Sequence, residues 1–225
     1  MTERVIAVTG GHGVLGKAVV EAALAEGCRV AVIDHAGGHA VPDGVLELGG
    51  VDLTDPAAAQ AAMDAIVARF GRLDALLNIA GGFVWQTTDD AEPAWEKMFR
   101  LNLTTALNAS RAALPHLKAV AEGRIVNVGA NAALKSAAGM GAYAASKAGV
   151  HRLTESLAEE LKDTSVTVNA VLPSILDTAQ NRKDMPDADP AKWVQPSDLA
   201  VVMLFLASPE SRAVTGALIP VTGKV

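Results

Sequence analysis

Aromatic side chains are scarce in this chain, at 4% of 225 residues, and cysteine is limited to Cys28. A single thiol excludes an internal disulfide and fits a reducing compartment, so a cytoplasmic location is expected. With so few rings, the 50% of residues that are apolar must build a core from Ala, Val, Leu and Ile, as in helix-on-sheet packing. Positive charge is not in excess, because the formal net charge is −6. A nucleic-acid partner requires basic patches, so none is expected. No apolar run approaches the ~20 residues of a membrane span. Met1–Arg4 leads into Val5–Thr9 without an apolar region of signal-peptide length. No membrane association is expected.

The length suits one α/β domain over residues 1–225. Short β-branched runs alternate with Ala-rich helical patterns. Strands are expected at 5–9, 29–34, within 46–54, and at 73–80, 124–128, 166–173 and 217–221. Helices are expected at 14–27, with Gly27 as stop, after the Asp55-Pro56 cap, from Pro93 to about Ala121 with a kink near Pro115, at 141–162, and from a Ser197 cap to about Ala207. Continuous apolar strands joined by helices imply a doubly wound, Rossmann-type parallel sheet covered on both faces. The one irregular segment is 174–196, polar and Pro-containing, following the C-terminal end of a strand where such sheets bind ligands.

The stretch "VTGGHGVLGK" joins the first strand to the first helix. Gly11-x-Gly13-x-x-Gly16 in that context allows a tight turn and close approach of backbone amides to a pyrophosphate at the positive helix end. The expected cofactor contacts there are Gly10, Gly11, Gly13, Val14, Leu15 and Gly16. Asp34 ends the second strand eighteen residues past Gly16, where a carboxylate accepts from ribose hydroxyls and repels a 2′-phosphate. No Arg or Lys follows in "HAGG", so NAD(H) is expected rather than NADP(H). His12 reads as a solvated turn residue. Asp52 reads either as a cap for the adenine amino group or as a turn residue beside the Asp55 cap.

Tyr143 and Lys147 stand at i and i+4 and share one helix face. A phenol titrates near ~10 unperturbed. A neighbouring ammonium and a positively charged ring both favour the phenolate, so the pair is suited to proton transfer near working pH. "TGGHGVLG", "VDLTD", "NIAGG", "LNLTTALNASRAAL", "YAASKAGV" and "VNAVLPSILDT", in this order and spacing, resemble the short-chain dehydrogenase/reductase family over nearly the whole chain. The resemblance implies a nicotinamide cofactor and hydride transfer with Tyr143, Lys147 and Asn102 as catalytic residues. It adds Ala80, Gly81, Pro173 and Thr178 to the cofactor site and makes Asn78 a link between strands. His151 reads as a packed or interface histidine. Family members pair through the helices at 93–121 and 141–162, so a homodimer or homotetramer is expected, held through small residues on exposed faces.

Two positions depart from the family pattern. Val14 replaces the usual middle glycine, and Ala130 stands where a serine is usual, thirteen positions before Tyr143. Loss of one oxyanion donor costs roughly 10²–10³ in rate. The dihydropteridine reductase branch lacks the same serine, and "GANAALKSAAGMGAY" and "NRKDMPDAD" resemble it, so an activated quinonoid dihydropterin substrate is the first expectation. The alternatives are a ketone or alcohol dehydrogenase, including the acyl-carrier thioester type, in which Asn131 or Ser136 replaces the serine, and a non-catalytic NAD(H) sensor. Ala130, Asn131, Trp85 and Trp193 are the candidate substrate contacts, the tryptophans as walls for a flat small molecule. Trp95 reads as helix packing. No metal is expected.

Overall fold

The computed structural model describes residues 3–90 and 94–225. Seven parallel strands form one sheet in the order β3-β2-β1-β4-β5-β6-β7. They are β1 (Val5–Thr9), β2 (Arg29–Ile33), β3 (Leu46–Leu48), β4 (Ala75–Asn78), β5 (Arg124–Val128), β6 (Thr167–Pro173) and β7 (Leu218–Val221). The chain runs outward from β1 to β3, returns to the centre at β4 and runs outward again to β7. That reversal leaves a crevice beyond the carboxyl ends of β1 and β4.

The helices are α1 (Val14–Ala25), α2 (Pro56–Phe70), α3 (Trp95–Met98), α4 (Thr105–Lys118), α5 (Gly141–Glu160), α6 (Ala179–Asp184) and α7 (Pro196–Ala207). On one face of the sheet, Met63 and Ile66 of α2, Ala109 and Ala113 of α4 and Leu157 of α5 pack on Leu76 and Ile125. On the other, Val19 and Ala23 of α1 meet Met203 and Leu204 of α7 over Ile6, Val8 and Leu77. Each strand of the sheet centre is therefore buried on both sides, which is why it reads as an unbroken apolar run. Asn78 links strands as expected, its Nδ2 donating to Asn127 Oδ1 at 2.9 Å and to Ser110 Oγ at 3.0 Å.

Several local expectations are corrected. The third strand is limited to Leu46–Leu48. Gln195, not Ser197, precedes α7, with Pro196 as its first residue; a fixed φ and no amide suit proline to that position. Pro93 lies outside the described residues. The helix continues through Pro115, and its irregularity is instead a π-helical stretch at Phe99–Thr104. Segment 174–196 is not irregular throughout: it carries α6, a 3₁₀ turn at Pro190–Lys192 and a bridge between Leu176 and Val194. Most small residues of α4 and α5 are not exposed, with Ser156 an exception. Ala109, Ala112, Ala113 and Ala158 are buried within the chain, and Arg111, Lys118, Arg152 and Glu159 are exposed. Among the described residues no helix is long and apolar enough to cross a membrane.

Candidate active site

The turn between β1 and α1 is shaped by contact more than by any single motif. Gly10 has φ 66°, and a Cβ there would lie 2.9 Å from the Ala80 backbone. A Cβ on Gly16 would overlap the Gly10 carbonyl, and one on Gly11 would lie 2.6 Å from the Val32 side chain. Gly13 is less constrained, with φ −69° and only the Gly10 carbonyl at 3.3 Å from a Cβ. The three forced glycines are thus Gly10, Gly11 and Gly16. Gly13 caps α1 without any side chain, so the first-turn amides of α1 have no helix partner. These unpaired donors at the positive helix end face a cleft of about 1150 Å³.

Gly10, Gly13, Val14, Leu15, Gly16, Asp34, Asp52, Ala80 and Gly81 all line that cleft; Gly11 is buried behind it. Asp34 is held by two backbone amides, His12 N at 3.0 Å and Ala36 N at 3.1 Å, which leaves carboxylate lone pairs toward the cleft. Asp52 accepts from Thr54 N and Oγ1, and these bonds hold its carboxyl below the usual range. His12 is not a solvated turn residue. Its side chain is 8% exposed and its Nε2 lies 3.2 Å from Glu47 Oε1. Glu47, which also accepts from the Gly38 and His39 amides, has no motif around it in the sequence; parallel pairing of β3 with β2 brings it there.

Tyr143 and Lys147 of α5 are not among the residues that line this cleft, but Lys147 adjoins two that do, Val128 and Gly81. Lys147 is buried, its Nζ donating to Val128 O at 2.7 Å, and desolvation pulls its ammonium down to about 8. Tyr143 is half-buried, and burial pushes its phenol up to about 12. The phenolate was expected to be favoured by the ammonium and a positive ring together; in the protein without that ring, desolvation of the phenolate dominates.

Asn102 sits on the π stretch. Its Oδ1 accepts from Gly82 N at 2.9 Å, and its Nδ2 donates to Gly82 O at 3.1 Å and Ser146 Oγ at 2.9 Å. A Cβ on Gly81 would lie 2.5 Å from Asn102 Oδ1 and 3.5 Å from Lys147 Nζ, so both polar groups converge on that glycine. Ser146, buried one turn past Tyr143, donates to Tyr143 O and completes the tie between α5 and the loop after β4.

Position 130 is a buried methyl with extended backbone, φ −159°. Asn131 is half-buried and makes no side-chain hydrogen bond among the described residues, whereas Ser136 is exposed and donates to Ala137 O. Pro173 ends β6, and the Thr178 hydroxyl accepts from Asn181 N as the cap of α6. Trp85 is 60% exposed and lies over Gly139, on the loop that leads into α5. Trp193 is corrected. It is buried, and the C-terminal residues clamp its segment, Lys224 N donating to Lys192 O at 2.9 Å. Trp95 packs on Gly141 and remains partly exposed. Phe83, unremarked in the sequence although it directly follows "NIAGG", is 53% exposed and meets the Tyr143 ring edge-on at 5.0 Å.

A glycine-bounded crevice at the switch point of a doubly wound sheet, with a carboxylate ending β2, defines a dinucleotide-binding protein. Comparison with known proteins narrows this. The short chain dehydrogenase model matches residues 4–189. The 3-oxoacyl-(acyl-carrier-protein) reductase of Vibrio cholerae is 32% identical over 98% of this chain and 96% of its own length. The 2-(S)-hydroxypropyl-CoM dehydrogenase 3 of Xanthobacter autotrophicus is 32% identical over 99% and 96%. Carveol dehydrogenase from Mycobacterium avium, solved in complex with NAD, superposes with a TM-score of 0.85 at 27% identity, covering 98% of this chain and 96% of that one. The chain belongs to the short-chain dehydrogenase/reductase family. It is a short-chain oxidoreductase with a site for a nicotinamide cofactor, and the cradle of Gly10 and Gly16, the free α1 amides and Asp34 fit that group. The relatives support the ketone and alcohol alternative over the quinonoid dihydropterin expectation.

Proposed function

We propose that the protein is an NAD(H)-dependent reductase or dehydrogenase acting on a ketone–secondary alcohol pair, with 3-oxoacyl thioesters as the substrate class its relatives favour. One observation carries this reading: Lys147, one turn from Tyr143 on α5, donates to the carbonyl of Val128, and Val128 and Asp34 line the same cleft. A nicotinamide cofactor, when bound, supplies or takes the hydride. The remaining chemistry belongs to this chain. Tyr143, neutral because buried, holds the proton that reduction delivers to the substrate oxygen. Lys147 anchors to Val128 O and lends positive charge as the phenolate forms. Asn102 and Ser146 fix the loop and helix that carry these groups. Asn131, with its amide uncommitted, replaces the missing serine as donor to the substrate oxygen.

Carbonyl reduction measured with NADH against 3-oxoacyl thioesters, simple ketones and quinonoid dihydropterin tests the reading. We expect turnover of the first two classes and a loss of about tenfold or more in Asn131→Ala but not in Ser136→Ala. Turnover of none of the ketones would sink it. Asp34 lines the cleft with its carboxylate held by two backbone amides and would accept from ribose hydroxyls, so NADH should bind more tightly than NADPH, and Asp34→Ala should narrow the gap. Calorimetry with both cofactors reads this directly, and equal affinities in the wild type would refute the preference.

A further inference from the structure

The helix α5 continues its functional face one turn beyond Lys147. Tyr143, Lys147 and His151 stand at i, i+4 and i+8. His151 is 2% exposed, and the proposed chemistry does not use it. Its ring packs on the chain where β5 gives way to the loop bearing Ala130. A Cβ on Gly129 would lie 2.5 Å from His151 Nε2 and 2.7 Å from Cδ2. Gly129 does not have a positive φ, so the imidazole, not the backbone, demands glycine there. Gly129 N still pairs with Val171 O across the sheet at 2.9 Å. The next amide, Ala130 N, has passed the end of the ladder, and His151 Nε2 accepts from it at 3.3 Å. A buried amide without a partner costs about 1–3 kcal/mol, so this acceptor matters to the loop.

We propose that His151 is a positioning residue of the active site: its neutral imidazole, protonated on Nδ1 and accepting on Nε2, fixes the Gly129–Ala130 peptide, and protonation of Nε2 releases it. The Ala130–Asn131 corner then depends on His151 where other members of the family have a serine. Acceptance by Nε2 requires the neutral ring. Burial, then the charges of Arg152 and Lys147, hold the imidazole below its usual range. Arg152 and Lys147 belong to α5 itself. Ala130, which donates to the ring, brings no titratable side chain, and Arg152 and Lys147 are the charged groups acting on His151 among the described residues. The group's folded pKa is depressed, so the neutral form prevails at and somewhat below the ordinary value of ~6.5, and the acceptor is lost only as pH falls through the lower folded value.

The inference deepens the proposed reductase reading, and two independent measurements separate their fates. The first is amide exchange by NMR on the full chain, which requires no activity. Ala130 N–H should be protected at neutral pH and exchange faster on acidification, with the midpoint of the His151 ring titration. His151→Gln, which restores an acceptor without a titrating group, should keep Ala130 protected with no such dependence, and His151→Phe should expose it. The second is steady-state reduction of a ketone substrate with NADH. His151→Phe should lower kcat about tenfold, the cost of one hydrogen bond, with NADH affinity within twofold. His151→Gln should recover most of kcat and lose the acid limb of the wild type. A protected Ala130 amide in His151→Phe, or an unchanged acid limb in His151→Gln, would overturn the assignment. If His151→Phe does not fold, the wild-type titration and His151→Gln decide. If no ketone is reduced by any form, the reductase reading fails, and the exchange data still decide the role of His151.

Discussion

Tyr143 is the only tyrosine in the chain, so its ionisation can be followed without interference from another phenol. Burial sets the neutral phenol as its resting state, pushed up to about 12. Ultraviolet titration of the free protein should therefore show almost no tyrosinate at pH ~10, where an exposed phenol is half ionised. Adding NAD brings a positive ring to the site and should move the titration downward. A midpoint below ~10 in the free protein would show that Lys147, not desolvation, dominates. Tyr143→Phe should lower ketone reduction by roughly 10²–10⁴ while leaving NADH affinity nearly intact, because the phenol serves proton transfer; undiminished turnover would place the proton elsewhere. Tyr143 and Lys147, proposed to carry the chemistry, Ala130 and Asp34 were all visible as letters at fixed spacings. The partners were not. Glu47 reaches His12 through strand pairing, Phe83 reaches Tyr143 across a loop, and His151 reaches Ala130 across a helix and a strand. None of these contacts has a local sequence signal.

At the scale of elements, legibility follows what each element buries. The central strands are apolar on both faces and could be read directly. The Asp55-Pro56 start of α2 also matched, since Asp55 accepts from Ala57 N within its own turn. The π stretch at Phe99–Thr104 was invisible, because its Asn102 is held by Gly82 and Ser146 from distant segments. The same holds for α6, which Asp177 secures through Arg182 and, from eighteen residues away, Gln195. Trp193 was read as a substrate wall, and what the local sequence could not show is that the C-terminal residues cover its segment and leave it buried. The turn into α1 yields a sharper test. Since a Cβ on Gly16 would overlap the Gly10 carbonyl, Gly16→Ala should displace the start of α1 and weaken NADH binding tenfold or more, with α1 packing on α7 largely kept. Gly13→Ala, at a negative φ with a Cβ contact of 3.3 Å, should cost much less. Equal losses in the two variants would show that the loop is not shaped by the Gly10–Gly16 contact.

For the molecule as a whole, the chemistry proposed for Lys147 is set against stability. Its folded-state value is depressed from 10.5 to about 8 by burial. The unfolded chain then binds more protons than the folded one between these two values, so folding stability attributable to this group rises with pH across that window and is lost as pH falls toward 8. Below about 8 the ammonium is charged in both states, and its burial costs up to roughly 3 kcal/mol. The hydrogen bond to Val128 O returns about 1 kcal/mol of this. Lys147→Met should therefore be more stable than the wild type at pH 7 by about 2 kcal/mol, and inactive. Denaturant unfolding of both proteins from pH 7 to 10 tests the balance. The wild type should gain on the variant as pH rises, because only its lysine sheds the penalty. A variant less stable than the wild type at every pH would mean that the buried ammonium is fully compensated by its surroundings. A variant more stable but still active would remove Lys147 from the proposed chemistry.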